Sequence, residues 1–427
     1  MKRLCIILII FSLIFMACPV STDENNIKDY EKNIAWELKT ETYYSFSRHL
    51  QKDKYMYFVE VSEKNKFFVS KVNLENGKYV WKSEEFSGYV ERRLAYIEKD
   101  GNGYILVENK ENVNLYFIDE EGGTLRAILT YCINEEDNKY FKANEIVVSN
   151  NRLFKFITKK EEPFSHGGLA EINIENLDFS IPRNPQYCES KIVWGGSQTI
   201  DTNPFEKDGI IYLITCDWNS QQGYTEVIAY DTNTDSVKWE YTSNVLDGNG
   251  RFNMYIVDNL LYIIEEQIAC FNIESGECIY EYKETEEDLA TKISKGGSIW
   301  SQGLWYDDGK FYYTSNASWA TSSMTNIPEE LVRNVLCLDA KTFELVWSDF
   351  PEGCGSLFTR PVVIDGKCFV LVNDGLRVYN SKTGELIGRA SEVNGSAHAL
   401  NAEYNGMFIY FDIDDSQKTS TLTAIRP

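Results

Sequence analysis

One short pattern of residues recurs along the chain and restricts the folds that the chain can adopt. A half-apolar segment ends in Asp or Asn, passes through a polar turn, and reaches an aromatic residue eight positions later in most copies. The clearest copies are VIAYDTNTDSVKW at 227–239, VLCLDAKTFELVW at 335–347, VSKVNLENGKYVW at 69–81, IACFNIESGECIY at 268–280 and LRVYNSKTGELIG at 376–388. Weaker copies at 115–125, 169–179 and 422–427 bring the total to eight, so the chain is a repeat protein.

A second element alternates with this pattern. Asp-Gly or Asn-Gly pairs open the aromatic segments DGIIYLIT, DGKFYYTS, DGKCFVLV and NGMFIYFD. Such pairs are typical of tight β-hairpin turns, where Gly adopts the positive φ that side chains resist. Together the two elements predict four antiparallel strands in every ~45–50 residues, which is the size of one propeller blade.

The repeat therefore predicts an all-β fold, a single eight-bladed β-propeller of four-stranded antiparallel blades. The last copy, LTAIRP, ends at the turn and lacks the strand that should carry Trp, whereas IAWELK near the start of the chain carries Trp36 at the matching place. We expect residues 34–39 to be the outer strand of the last blade, so that the N-terminal strand closes the ring and removes an exposed sheet edge. Seven blades are the alternative if one weak copy is not a repeat.

The pattern Ala-x-Asp-x-x-Thr-Gly-x-x-x-Trp resembles the repeat of pyrroloquinoline-quinone (PQQ)-like β-propellers, which include quinoprotein dehydrogenases and BamB-like bacterial lipoproteins. Residues 229–239 fit this pattern best. The resemblance implies that the tryptophan of each blade docks against the next blade's motif, and it predicts this structural role for Trp36, Trp81, Trp239 and Trp347. Tyr280 and Gly388 depart from the pattern, so their blades are expected to seal less tightly.

The N-terminus carries an export signal. Lys2 and Arg3 precede an apolar run from Leu4 to Met16, which is too short to span a bilayer. The pair Ala17-Cys18 resembles a bacterial lipobox, which implies that Cys18 is lipidated and becomes the mature N-terminus; an ordinary cleaved signal is the alternative. The predicted domains are a lipoprotein signal peptide at 1–17, a flexible acidic tether at 18–33 and the propeller at 34–427.

Composition excludes several classes of function. The formal net charge of −23 argues against binding to nucleic acid phosphates. The three histidines, at positions 49, 166 and 398, are far apart in the sequence, and no nucleotide-binding or hydrolase motif occurs. Cys270 and Cys337 share one repeat position, where two other copies have Ala229 and Val378, which indicates small buried side chains rather than redox chemistry. No metal, cofactor or catalytic residue is predicted.

Two functions fit the sequence. The favoured one is a membrane-anchored cell-envelope lipoprotein, periplasmic or surface-facing, whose propeller is a non-catalytic scaffold for an envelope protein partner, with a role in outer-membrane protein assembly. The alternative is a PQQ- and calcium-dependent dehydrogenase that uses the central channel. The loop at 317–334 is a candidate for partner binding. The candidate channel-lining residues, which follow or lie near Gly-Ser pairs, are Gln198, Asp201, Gln302, Arg360 and His398.

Overall fold

A computed structural model describes most of the chain beyond residue 26. The described residues are 27–40, 43–44, 49–63, 66–88, 90–109, 114–132, 146–161, 164–181, 183, 185–195, 199–200, 205–216, 225–243, 246, 253–264, 267–283, 304–316, 333–342, 344–349, 360–372, 375–390, 401–414 and 419–427. Strands dominate this part of the chain, together with a short 3₁₀-helix, Glu31–Asn33.

The strands form eight antiparallel blades in the order of the sequence. Blades 1 to 4 contain β3 (Tyr43–Tyr44), β4 (Leu50–Lys52), β5 (Tyr55–Glu63), β6 (Lys66–Asn73), β7 (Lys78–Lys82) and β8 (Phe86–Ser87); β9 (Val90–Lys99), β10 (Asn102–Asn109), β11 (Asn114–Asp119) and β12 (Leu125–Cys132); β13 (Ile146–Ser149), β14 (Arg152–Glu161), β15 (Phe164–Ile172) and β16 (Pro185–Gly195); and β17 (Thr199–Ile200), β18 (Phe205–Lys207), β19 (Ile210–Cys216), β20 (Thr225–Asp231) and β21 (Ser236–Ser243).

Blades 5 to 8 have the same plan, and the last two each gain one strand from the N-terminus. They contain β22 (Asn253–Val257), β23 (Leu260–Ile264), β24 (Gln267–Asn272) and β25 (Cys278–Lys283); β26 (Trp305–Asp307), β27 (Lys310–Asn316), β28 (Arg333–Asp339) and β29 (Leu345–Asp349); β30 (Val362–Ile364), β31 (Lys367–Val372), β32 (Gly375–Asn380) and β33 (Leu386–Ala390) with β1 (Lys28–Asp29); and β34 (Asn401–Tyr404), β35 (Met407–Asp414) and β36 (Thr419–Ile425) with β2 (Ile34–Thr40).

The N-terminal strand closes the ring. β2 pairs antiparallel with β36, and Trp36 lies opposite Ala424, which matches the pairing of Trp239 with Ala229 and of Trp347 with Cys337. This pairing confirms the predicted closure and the count of eight blades, and the seven-blade alternative is wrong.

The hydrophobic core is divided among the contacts between neighbouring blades. The described residues form eight clusters of buried apolar side chains, and the buried members of each come from two consecutive blades or the N-terminal segment docked on them. The cluster between blade 8 and blade 1, for example, joins Phe411 and Leu422 to Met56 and Phe58. We call each of these contacts a seam, and the ring is held together by its eight seams.

The two faces of the disc differ in their connections. On one face, which we call the turn face, a tight turn joins the first two strands of a blade and an Asx turn joins the last two. The turns hydrogen-bond to each other; Ala340 N–H, for example, donates to Gly309 O at 2.9 Å. First strands of neighbouring blades, such as β26 and β30, contact each other around the axis. The opposite ends of the strands define the loop face, from which the chain passes between blades.

The predicted tether at 18–33 is shorter than expected, because its last residues are folded onto the propeller. Lys28 and Asp29 form β1, which pairs in parallel with β33, and Tyr30 is 1% exposed. The 3₁₀-helix Glu31–Asn33 then leads into β2. The prediction of a flexible segment rested on its polar composition. The buried ring of Tyr30 is enough to fix the end of this segment on the propeller. Residues 1–26, including Cys18, lie outside the described part.

Candidate functional site

The Asx turns of the repeat are built by the residues that the pattern singled out. In blade 6 the carboxylate of Asp339 accepts hydrogen bonds from the backbone N–H groups of Lys341 and Thr342, each at 2.9 Å. These backbone donors lower the pKa of Asp339. Asn380 makes the same contacts in blade 7 without a charge, so the position requires an oxygen acceptor rather than an acid.

The tryptophans at the end of the pattern all dock in the same way. The indole N–H donates to the backbone carbonyl of the residue directly after the next blade's Asx residue. The pairs are Trp36 with Leu74 O at 3.0 Å, Trp81 with Glu120 O at 2.9 Å, Trp239 with Ile273 O at 2.8 Å and Trp347 with Ser381 O at 2.7 Å. Each indole therefore joins an outer strand to the Asx turn of the following blade.

A glycine lies under each docked indole. Gly276 has φ +72°, and a Cβ at this position would lie 2.6 Å from Cγ of Trp239. Gly384 has the same φ and faces Trp347, while Gly77 and Gly123 face Trp36 and Trp81. A side chain at these positions would meet both the unfavourable backbone conformation and the ring. Gly in the turn and Trp in the preceding blade therefore depend on each other.

In two seams a cationic side chain makes this hydrogen bond in place of an indole. Between blades 3 and 4, Arg152 Nη1 donates to Thr232 O at 2.5 Å, and its guanidinium also binds the carboxylates of Glu171 and Asp235 at 2.6 and 2.8 Å. Between blades 2 and 3, Lys99 Nζ donates to Ile174 O at 3.0 Å. The carbonyl after the Asx residue is thus the common acceptor, and the donor varies.

The seam between blades 2 and 3 also contains a substitute for the missing indole. Ala127 lies opposite Phe117, in the register that places Trp239 opposite Ala229. The segment after β15 fills this seam: the Phe179 ring stacks on Tyr104 with centroids 4.6 Å apart, and β16 begins by pairing in parallel with β12. The buried ion pair of Glu108 and Lys155 joins the same two blades.

A charged cluster between blades 1 and 2 lies beside the Trp81 contact. The carboxylate of Glu120 accepts hydrogen bonds from Tyr57 OH at 2.8 Å and from Lys52 Nζ at 2.9 Å, and Lys71 Nζ lies 3.7 Å away. Burial raises the pKa of Glu120, but the bonds from Lys52 and Tyr57 outweigh burial and lower it overall. Burial also lowers the pKa of Lys71. These contacts stabilise the seam.

The candidate channel residues are only partly described. Arg360 is half-buried just before β30, and its guanidinium lies 5.3 Å from the centre of the Trp305 ring on β26. It therefore lies between the innermost strands of blades 6 and 7. Gln198, Asp201, Gln302 and His398 lie outside the described residues, as does 317–332 of the candidate partner-binding loop.

The described residues contain neither a metal site nor a membrane-spanning helix. Within them, no group of three or more His, Cys, Asp or Glu side chains is placed to hold a metal ion. In the same part of the chain, no helix has the length and apolar character needed to cross a bilayer. Cys270 and Cys337 are buried free thiols, as their repeat position indicated.

Eight four-stranded blades, Asx turns and docked tryptophans define the fold as an eight-bladed β-propeller. Solved structures with this fold include BamB from Moraxella catarrhalis, with 14% identity and a TM-score of 0.55 over 91% of this chain and 96% of that chain. They also include a quinohemoprotein alcohol dehydrogenase from Pseudomonas putida HK5 (12% identity, TM-score 0.57, 94% of this chain and 78% of that chain) and a europium-containing methanol dehydrogenase (12%, 0.57, 90% and 86%). No protein-family model and no curated protein matches the sequence.

Proposed function

We propose that this protein is a lipid-anchored lipoprotein of the cell envelope, and that its propeller is a non-catalytic scaffold for an envelope protein partner, in outer-membrane protein assembly. The observation that carries the proposal is the division of the disc into two unlike faces. Short turns, tied to each other by backbone hydrogen bonds, cover the turn face. The match to the BamB structure covers 96% of the BamB chain, and this similarity also supports a scaffold function.

The loop face is the side that we assign to the partner. β25 ends there at Lys283 and β26 begins there at Trp305, with residues 284–304 between them in the sequence. β27 ends at the same face at Asn316 and β28 begins there at Arg333, with residues 317–332 between them in the sequence. Long connections on a rigid scaffold are the usual carriers of recognition, because they vary without disturbing the core.

Site-specific photo-crosslinking in intact cells tests this assignment. A photoreactive amino acid at Asn316 or Arg333 probes the loop face, and the same amino acid at Lys341, on the Asx turn of the same blade, is the matched control. We expect adducts with an envelope protein from the first two positions and few from the third. Equal adduct yields from both faces, or adducts from Lys341 alone, would contradict the assignment.

The membrane anchor is a separate part of the proposal. With Cys18 lipidated and Lys28 fixed to blade 7, the intervening chain reaches at most roughly 35 Å. Fatty-acid labelling should mark the wild type, and Cys18→Ala should lose both the label and the membrane fraction. A Cys18→Ala variant that stays labelled and membrane-bound would show that Cys18 is not the anchor.

The second candidate is a PQQ- and calcium-dependent dehydrogenase, which the two dehydrogenase structures with this fold favour. A ligand that binds the native state raises the melting temperature (Tm). Saturable stabilisation by PQQ with calcium, together with substrate-dependent reduction of a dye, would contradict the scaffold proposal and favour the dehydrogenase. Calcium alone and PQQ alone are the controls.

A further inference from the structure

Blade 7 lacks the docking tryptophan, and a residue from the N-terminal segment fills its place. Gly388 lies opposite Val378, in the register that places Trp347 opposite Cys337 in blade 6. The ring of Tyr30 lies directly over Gly388, so close that a Cβ there would overlap it. Outer strand β33 thus provides the space, and a distant part of the chain provides the ring.

The surroundings of Tyr30 match those of a docked indole. Its ring is 5.8 Å from Phe369 on β31, and Trp347 is 6.1 Å from Tyr312, the residue at the same place in blade 6. On the other side, Tyr30 belongs to the buried cluster that contains Phe408 and Ile425 of blade 8. Tyr30 therefore contacts both blades of the seam.

Backbone contacts fix the segment on both sides of this ring. Lys28 and Asp29 pair in parallel with Gly388 and Arg389, and Tyr30 N–H donates to Arg389 O at 2.9 Å. The ammonium of Lys28 lies 4.6 Å from the centre of the Tyr30 ring. This is the addition of a strand to a sheet edge combined with one anchoring side chain, a common mode of peptide recognition.

The same segment replaces part of the missing Asx turn of blade 8, where Arg426 occupies the Asx position. Arg426 N–H donates to Asn33 O at 3.0 Å, and Asn33 Nδ2 donates to Arg426 O at 3.0 Å. In an unbroken blade the corresponding bond joins Asp339 N–H to Glu344 O at 2.9 Å. Asn33 therefore replaces the residue that normally precedes the outer strand.

We propose that the seam between blades 7 and 8 is a binding groove for an extended peptide that carries one aromatic side chain, and that residues 28–33 of the chain itself are its occupant. Gly388 gives the groove its depth and β33 gives it an edge for backbone pairing. Residues 28–33 act as a latch, because they supply both the ring that seals the seam and the turn that begins β2. This inference does not depend on the identity of the partner.

A substitution cycle in the full chain tests whether Tyr30 occupies the indole position. Tyr30→Ala empties the groove, and Gly388→Trp places an indole where Tyr30 already lies, so each change should lower Tm by at least about 4 °C. The combined variant should recover at least half of the larger loss, because the indole then enters the space that Tyr30 vacates. Losses that add in the combined variant would overturn the proposal. Tyr30→Phe, which keeps the ring, and Tyr306→Ala, at an exposed position, are the controls.

A peptide titration tests the groove directly. A synthetic peptide of residues 27–33 is added to the Tyr30→Ala and Gly388→Trp variants, and Tm is followed against peptide concentration. We expect a saturable rise with Tyr30→Ala, none with Gly388→Trp, and none with a peptide in which Tyr is replaced by Ala. An equal rise in both variants, or no rise in either, would overturn the groove.

Discussion

The docking of Trp239 allows the strength of one seam to be worked out. Its side chain is 8% exposed, its indole N–H donates to Ile273 O at 2.8 Å, and its ring lies 6.0 Å from Tyr212 and 6.2 Å from Phe271. A tryptophan buries ~150–250 Å², worth about 4–6 kcal/mol at ~25 cal/mol per Å². Alanine keeps part of that burial, so Trp239→Ala should lower the free energy of unfolding by about 3–5 kcal/mol.

A smaller change separates the hydrogen bond from the packing. Trp239→Phe keeps an aromatic ring in the seam but leaves the carbonyl of Ile273 without its donor. An unsatisfied buried acceptor costs about 1–3 kcal/mol, so Trp239→Phe should lie between the wild type and Trp239→Ala. Val237→Ala, on the same strand but 36% exposed, should change stability by less than about 0.5 kcal/mol.

Urea unfolding followed by far-ultraviolet circular dichroism measures these differences without relying on tryptophan fluorescence, which the substitutions themselves change. Similar slopes for all variants would justify comparing the free energies of unfolding. A loss of less than about 1 kcal/mol for Trp239→Ala would refute the idea that the docked indole holds the seam. A Trp239→Phe loss as large as that of Trp239→Ala would assign the effect to the hydrogen bond alone.

Four further predictions follow from the same geometry. Trp36→Ala should destabilise the protein to a degree comparable with Trp239→Ala. Deleting residues 18–27 should leave Tm unchanged, whereas deleting residues 18–40 removes β2 and should cause aggregation, which light scattering would detect. Gly384→Ala should lower Tm, because its Cβ would lie 2.7 Å from Cδ2 of Trp347 at φ +72°; a loss that persists in full with Trp347→Ala would contradict the clash and leave backbone strain as the cause. The pKa of Asp339 is lowered in the folded protein, so the ionised carboxylate stabilises the fold above its ordinary pKa. This stabilisation is lost as pH falls through the folded-state pKa. Urea midpoints measured from pH 6 to pH 2 should therefore fall less steeply for Asp339→Asn than for the wild type. Burial raises the pKa of Cys337 to about 12 and that of Cys368 well above its usual range, so mass spectrometry should find neither thiol alkylated at pH 8 until the protein is unfolded.

The repeat made the ring predictable because a blade is a local structure with a fixed period. The Asx position, the Asp-Gly turns and the offset to Trp are all set by hydrogen bonds within one blade, and they recur wherever the blade recurs. The closure by β2 was predictable for the same reason: a pattern that stops at its turn in LTAIRP and resumes at Trp36 must be joined in space.

The substitutes for the missing tryptophans were less accessible to sequence reasoning. Phe179 lies after the Asx turn rather than on the outer strand, and Tyr30 lies more than 350 residues from Gly388. Arg152 and Lys99 lie near the tight turns of their blades, and their shared acceptor is a backbone carbonyl, which leaves no mark on the sequence. One signal was present: Asp235 and Leu177 stand where docked turns have Gly, which indicates that no indole lies above them.

Trp194 was also missed, and its register explains why. It packs against the seam between blades 3 and 4, but it lies opposite Leu169, four residues before Asn173, whereas Trp239 lies opposite Ala229, two residues before Asp231. The long connection between Ile172 and Pro185 separates it from the Asx turn, so the fixed offset of the pattern does not reach it. A search by offset finds a repeat only where the turn keeps its usual length.

The joining of β2 to β36 also fixes an order of events in time. Thr40 on β2 and Ser420 on β36 are 380 residues apart, so β2 must wait until the blades between them have been synthesised. Seven blades can form one after another from neighbouring segments, but the blade that joins both ends cannot form until Ile425 is present. Contacts this distant in sequence form slowly. Until then the strand IAWELK has no partner, and unpaired strands of this kind are prone to aggregation.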